Sequence, residues 1–221
     1  MTPDSPLSPE KFEEIAIVSR ETMDRLRIYA TCLTEWQQTL NLVSRNSLTH
    51  LWDRHMLDSI QLVRHLPEGA TSITDIGSGA GFPGLVLAIA TGLPTELIES
   101  HVRKSAFLRE AASLTGAPAE VLNVRVEDIA AERRQARQES AGAESVDKSV
   151  NILTARAVAP LSKLCEMADS LGTQTCLFMK GGRWREELTE AEKRWRIKHQ
   201  TFESLTSPEG RILRITGLKK R

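Results

Sequence analysis

From residue 72 onward, short apolar runs alternate with longer stretches of helical spacing. The runs at 72–77, 95–99, 120–125, 150–155 and 175–180 predict strands, and the segments 83–91, 102–115, 127–137, 160–170 and 183–194 predict helices. Strands that alternate with helices in this way build a doubly wound, mostly parallel sheet. After residue 194 the rhythm changes. Two strand-like segments, 196–202 and 211–216, flank the turn-rich stretch Thr206-Ser207-Pro208-Glu209-Gly210, which predicts a closing antiparallel hairpin and seven strands in all. Before residue 72 the spacing is helical, with helices predicted at 8–19, 21–39 and 47–66 behind a loose tail at 1–7. Ser8-Pro9-Glu10 combines an N-cap hydroxyl, a proline for the first turn and an acid at the positive end of the helix dipole. Ile28, Cys32, Trp36 and Leu40 are spaced for one face of the second helix, which makes Trp36 a core residue. Residues 131–149 are charged and poor in apolar positions, as expected of a frayed helix end and a surface loop. Residues 1–66 are expected to form a helical cap integrated with a 67–221 core, effectively one domain.

One stretch interrupts the pattern. Ile73-Thr74-Asp75-Ile76 runs into Gly77-Ser78-Gly79-Ala80-Gly81-Phe82-Pro83-Gly84, and an apolar helix follows at once. A glycine turn between strand and helix brings a ligand against bare backbone, and the free N–H groups of the first helical turn suit an anionic group. Pro83 fits that first turn, where its missing N–H loses no bond. Two spacings overlap here. Residues 77–81 read G-x-G-x-G, the spacing of S-adenosylmethionine enzymes, and 79–84 read G-x-G-x-x-G, the dinucleotide fingerprint. Glu99 closes the next apolar run about 20 residues on, where a ribose-binding carboxylate is expected.

Composition narrows the classes. The chain has 221 residues, 40% hydrophobic and 26% charged, enough for one globular domain with a real core. The formal net charge is zero, so any contact with nucleic acid must rest on local patches. Three widely spaced cysteines, Cys32, Cys165 and Cys176, form no C-x-x-C pair, which argues against a disulfide framework or zinc site and for a reducing compartment. With no signal-like N-terminus and no apolar run of about 20 residues, a cytoplasmic protein without a membrane anchor is expected. His55 and Asp58, three apart, suit a polar network that docks their helix better than a metal site, since no further ligands are spaced to complete one.

The ordered motifs Asn41-Leu42-Val43-Ser44, Arg54-His55-Met56-Leu57-Asp58-Ser59, Asp75 to Gly84, Arg125-Val126-Glu127, Arg156-Ala157 and Met179-Lys180-Gly181 resemble those of the GidB family, the bacterial small-subunit (16S) ribosomal RNA guanine-N7 methyltransferases. The resemblance runs from about residue 12 to 216 and departs from the family pattern at 131–149. It implies a class I S-adenosylmethionine-dependent methyltransferase fold, Rossmann-like, with S-adenosyl-L-methionine as cofactor. It also implies a monomer acting on 16S ribosomal RNA or a small ribosomal subunit particle. Carried onto this chain, the cofactor positions are Gly77 and Phe82, with Gly79 and Gly81 in the same turn, Val126 and Glu127 on the adenine side, Arg156 after the fourth strand, and Glu99 toward the ribose. Asp75 is placed to help with the methionine ammonium.

Guanine N7 carries a lone pair and no proton, so in-line methyl transfer needs no general base, no covalent intermediate and no metal. Arg156 and Lys180 are the expected substrate-positioning groups, at O6 or phosphate. Candidate RNA contacts are Arg54, His55, Arg125, Arg183 and Trp184, with further basic patches at Arg64-His65, His101 to Lys104 and Lys219 to Arg221. Trp184 suits helix packing better than base stacking. Other readings remain open at this level: a methyltransferase with a small-molecule or protein substrate, a non-catalytic nucleotide-binding module, or a nicotinamide oxidoreductase.

Overall fold

The computed structural model describes residues 5–139, 152–173 and 175–221. The strands β1 (Ile73–Ile76), β2 (Thr95–Ile98), β3 (Ala119–Leu122), β4 (Ile152–Arg156), β5 (Cys176–Lys180), β6 (Trp195–Glu203) and β7 (Arg211–Lys220) form one sheet in the order β3-β2-β1-β4-β5-β7-β6. The first five pair in parallel, while β7 runs antiparallel to both β5 and β6. The predicted architecture is therefore present. The order reverses between β1 and β4, so their C-terminal ends open a crevice of the kind in which doubly wound folds bind ligands. β7 runs four residues past the predicted 216, because Leu218 to Lys220 pair with Trp195 to Ile197. Residues 140–151, which include most of the expected charged loop, lie outside the described residues.

The two faces of the sheet are covered differently. Helices α7 (Val126–Glu139), α8 (Leu161–Leu171) and α9 (Trp184–Glu192) cover one face, with Leu164, Cys165, Phe178, Trp195 and Ile215 in their core. On the other face, α5 (Gly84–Thr91) and α6 (Val102–Thr115) share a cluster with the N-terminal helices α1 (Pro9–Ala16) and α2 (Arg20–Gln37). Phe12, Met23, Leu26, Tyr29 and Leu33 there pack with Leu85, Phe107 and Leu108. Ser8 caps α1 as its sequence suggests, its Oγ accepting from Lys11 N at 3.2 Å. α1 ends early, at a left-handed Ile17, and Ser19 caps α2.

Two expectations change. The buried stripe of α2 runs through Met23, Leu26, Tyr29, Cys32 and Leu33, and Ile28 is 43% exposed. α6 meets α2 along this stripe, which places Ile28 on its solvent side. Trp36 is half-buried and packs edge-on to Phe107 with centroids 5.9 Å apart. The predicted third helix is in fact a series of short segments: α3 (Arg45–Leu48), a π-helical turn at Trp52–Leu57, α4 (Asp58–Ile60) and a 3-10 turn at Gln61–His65. Wide winding followed by tight winding re-aims successive side chains. His55, Met56 and Leu57 turn inward, while Asp58 and Gln61 reach the hairpin.

Candidate active site

At the mouth of the crevice the glycine turn leaves β1 with Gly77, Gly79 and Gly81 at φ +64°, +57° and +91°. Their missing side chains serve different ends. A Cβ on Gly81 would lie 2.6 Å from the Tyr29 hydroxyl, which donates to the Ala80 carbonyl, and one on Gly84 would lie 2.5 Å from Asp75 Cβ. These two glycines admit the protein's own neighbours. Gly79 faces open space, its nearest neighbour being the Gly77 carbonyl at 3.7 Å. Pro83 is the N-cap of α5, one position ahead of the helix itself.

Two acids brace this turn. Glu99 accepts from Gly79 N at 2.8 Å through Oε2 and from His101 N at 2.7 Å through Oε1, so its carboxylate holds the turn against the end of β2. Each oxygen retains a lone pair for a further donor. Asp75 is fully buried; Oδ1 accepts from Thr154 Oγ1 at 2.7 Å, and Oδ2 has no partner among the described residues. Burial pushes its carboxyl up to about 6, against the pull of the Thr154 hydroxyl. An orphaned, buried carboxylate oxygen beside a bare glycine turn fits a cationic ligand group such as an ammonium. Val126, 9% exposed, and the exposed Glu127 begin α7, with Glu127 4.0 Å from Lys163. Arg125 is exposed, and its carbonyl accepts from Asp128 N and Ile129 N in the first turn of α7.

Arg156, at the end of β4, is the centre of a half-buried cluster. Its Nη1 donates to the Arg54 carbonyl at 2.9 Å and to Asp58 Oδ2 at 3.3 Å, and its Nη2 donates to His55 Nδ1 at 2.7 Å. The guanidinium also sits 5.2 Å over the Phe82 ring, which stacks on His55 at 4.8 Å. His55 accepts a bond from a permanent cation and therefore has a neutral ring; burial, then the Arg156 charge, hold its pKa down to about 3. Its Nε2 has no partner among the described residues. Ala157 follows with φ +55°, a left-handed turn that takes the chain off β4 directly after Arg156. Lys180, at the end of β5, is held by Glu187 Oε2 at 2.6 Å and the Ala159 carbonyl at 2.9 Å, and Glu187 also accepts from Leu161 N at 2.8 Å.

The structure thus joins Arg156, His55, Phe82 and Lys180 at one strand-end surface. The docking network expected for His55 and Asp58 is present, with Arg156 as its third member. His55, 9% exposed, faces inward while Arg54 and Arg183 face solvent. Trp184, 8% exposed, packs the start of α9 with Arg185 4.5 Å over its ring. Sequence reasoning missed one link. Asp58 Oδ1 accepts from Gln61 Nε2 at 3.0 Å and Thr206 Oγ1 at 2.5 Å, and Gln61 Oε1 accepts from Leu205 N at 2.7 Å. A separation of more than 140 residues leaves no local signal for that contact.

A cleft of 340 Å³ beside the cluster is lined by Asp58, Arg156, Lys180, Ser204, Ser207 and Arg211. It adjoins a basic cleft of 720 Å³ bounded by Arg183, Trp184, Arg185, Glu209 and Arg211. A larger cleft, 840 Å³, lies at the opposite ends of β1 to β3 among Pro94, Pro118 and the Glu96–Arg133 ion pair, away from this chemistry. Among the described residues no helix is long and apolar enough to cross a membrane.

Comparison with known proteins puts this geometry in a family. A ribosomal RNA small subunit methyltransferase G from Gluconobacter oxydans is 44% identical over 205 residues, covering 92% of this chain and 97% of that protein. One of the same name from Paramagnetospirillum magneticum is 42% identical over 216 residues, covering 97% and 98%. Among solved structures, a MtNAS mutant in complex with S-adenosylmethionine superposes with a TM-score of 0.55 at 12% identity over 97% of this chain and 85% of that one. A chain of a fibrillarin/Nop5p complex gives 0.50 at 13% identity over 74% and 81%. At such identities the structural likeness establishes the fold, a class I methyltransferase sheet. Residues 22–213 match the family described as GidB, rRNA small subunit methyltransferase G, and the chain belongs to that family.

Proposed function

We propose that this protein transfers the methyl group of S-adenosyl-L-methionine to N7 of a guanine in 16S ribosomal RNA. The family brings the cofactor and the class of substrate: its members are S-adenosylmethionine-dependent and methylate small-subunit ribosomal RNA. The observation that carries the finer reading is the state of the titratable groups around the 340 Å³ cleft. His55 is neutral, inward-facing and bonded to Arg156; Asp58 and Glu187 are each committed to a cation. Among the described residues that line the cleft, none is poised to take a proton, which suits an acceptor that has none to lose. The remaining requirement is orientation, since N7, methyl carbon and sulfur must be nearly in line.

The cofactor supplies the electrophilic methyl carbon. Gly77, Gly79, Gly81 and Phe82 shape the floor of its site, Glu99 offers its remaining lone pairs to the ribose diol, and Val126 and Glu127 flank the adenine. Asp75 offers its unpartnered Oδ2 to the ammonium, directly or through water. Arg156 uses three of its five N–H groups on Arg54, Asp58 and His55, leaving two for cofactor or substrate. Lys180 likewise keeps one of three donors. Methylation at N7 places positive charge on the base, so these cations serve at O6 or phosphate and away from N7. Arg54, Arg125 and Arg183, all exposed, supply phosphate contacts at the rim. The reading includes a monomeric, cytoplasmic protein, checked by sedimentation with and without small subunits.

The test is methyl transfer from labelled S-adenosylmethionine to small subunits isolated from cells lacking this protein, with the product nucleoside identified. Label in 7-methylguanosine is the expected result. Label in another nucleoside overturns the N7 assignment, and cofactor binding without transfer overturns the substrate.

A further inference from the structure

The terminal hairpin has a face that the other described residues leave open. Its other face packs on α8 and α9 through Trp195, Ile197, Leu213, Ile215 and Leu218. On the open side, the cover ends where His65 stacks on Phe202 at 4.1 Å and Arg214 lies over the same ring. Beyond that point the residues on this side are Gln200, Lys198, Arg196, Gly217 and Lys219, with all but Gly217 exposed. A bulge produces this arrangement. Lys198 pairs with Gly217 and His199 with Ile215, so Thr216 is left over. The extra residue resets the alternation and brings Arg214, Gly217 and Lys219 onto one face.

That face is electrostatically incomplete. Arg196 and Lys219 are direct cross-strand partners, and like charges so placed repel. Lys198 is next along the same side. None of the three forms an ion pair with any described residue, whereas Arg211, near the active-site end of the same hairpin, pairs with Glu203. Gly217 carries no side chain between Lys198 and Lys219, and a groove of 570 Å³ results, lined by Arg196, Ile197, Lys198, Gly217, Leu218 and Lys219. Three cations without an ion-pair partner surround a groove on a face that carries no acid among the described residues, and such a face complements a polyanion. Lys219 lies eight residues along β7 from Arg211, roughly 25 Å at strand rise. The groove is therefore separate from the catalytic cleft, and only an extended ligand can occupy both.

We infer that this groove is a second docking surface for the phosphodiester backbone of RNA, engaged by the same ribosomal substrate that presents its guanine to the catalytic cleft. The inference rests on the proposed RNA substrate. Its contacts would be sequence-independent and sensitive to salt.

The test is the triple charge reversal R196E/K198E/K219E, compared with the unmodified protein for binding and methylation of small subunits across a salt series. Cofactor affinity and thermal melting serve as the check on folding. The groove reading expects KM to rise about 10-fold or more, kcat at saturating subunits to be unchanged, and the log–log salt slope of binding to fall by about 2 to 3. Glutamates keep the edge strand charged. If the cations serve only to keep this edge from pairing with other strands, KM and slope will not move, and the inference fails. Lys219→Glu alone guards against a folding defect, because it turns a repulsive cross-strand pair with Arg196 into an attractive one. It should raise the melting temperature while weakening subunit binding, and unchanged binding with a raised melting temperature overturns the inference. Direct RNA binding by filter assay separates this outcome from a failure of the methyltransferase reading. If the unmodified protein transfers no methyl group, salt-sensitive binding lost on reversal still supports the groove.

Discussion

The two ends of the sheet hold their cations in opposite ways. At the C-terminal ends of β4 and β5, the Arg156 and Lys180 side chains are 19% and 8% exposed, and each is held by a carboxylate and a backbone carbonyl. At the far end of the hairpin, Arg196, Lys198 and Lys219 are exposed and unpaired with any described residue. A charge beside a reacting centre has to be placed to within a fraction of an ångström, so its donors are mostly spent on the protein. A charge that gathers a polyanion works through a field, which needs no fixed geometry and weakens with salt. Positioned cations should therefore govern turnover, and free cations should govern capture.

Four measurements test that division. The largest effect is expected at Arg156. Arg156→Ala should lower the single-turnover rate about 100- to 1,000-fold. It should lower stability by about 1–3 kcal/mol, because Asp58 loses its counter-charge and His55 Nδ1 its donor. Arg156→Lys should not rescue the rate, since one ammonium cannot span Asp58, His55 and the Arg54 carbonyl. Rescue would mean that charge alone suffices and would remove the contrast.

Next is Glu187→Gln. The amide oxygen still accepts from Leu161 N, but Lys180 loses its counter-charge. Turnover should fall about 10-fold with KM nearly constant, and stability by roughly 1–2 kcal/mol. A change in KM alone would place Lys180 among the capturing charges.

The third measurement uses pH. The His55 pKa is about 3 folded against an ordinary 6.5, so the folded state binds fewer protons in that window, and stability present above pH 6.5 is lost as pH falls. Asp75, raised from 3.8 to about 6, acts with the opposite sign: the folded state binds the extra proton, so its contribution improves as pH falls through about 6 toward 3.8. His55→Asn keeps an acceptor for Arg156 and removes the titration. Melting from pH 7 to 4 should show the variant losing less stability than the unmodified protein, the difference amounting to a few kcal/mol at most. Parallel curves would mean that His55 does not anchor Arg156 as a neutral ring. The smallest effect is the rise in stability for Lys219→Glu, a few tenths of a kcal/mol, read as a melting temperature higher by about 1–2 °C.

Much of the fold is legible along the chain because it rests on local signals. The alternation of apolar runs and helical spacing reaches all seven strands, and Ser8 marks the start of α1 through a hydroxyl three residues from the N–H it accepts. The third helix is where local reasoning fails. Its spacing looks uniformly helical, yet the π turn at Trp52–Leu57 and the 3-10 turn after Ile60 are set by what His55, Asp58 and Gln61 meet elsewhere. Ile28 fails for a related reason: spacing offers several faces of one helix, and the partner α6 selects among them.

The sequence by itself determined the strand–glycine turn–helix, the parallel sheet with its closing hairpin, and the residue types assembled at the strand ends. Each depends on periodicity, on backbone freedom at Gly77, Gly79 and Gly81, or on the order of motifs, all of which act over a few residues. Only the tertiary structure decided how these residues are used. It made Gly81 a seat for Tyr29, Glu99 a brace for Gly79, His55 a neutral acceptor for Arg156, and Asp58 a tie to Thr206. It also brought Arg196, Lys198 and Lys219 onto one open face. Protonation, pairing and exposure are properties of neighbours distant in sequence, and no local pattern encodes which neighbours the packed chain supplies.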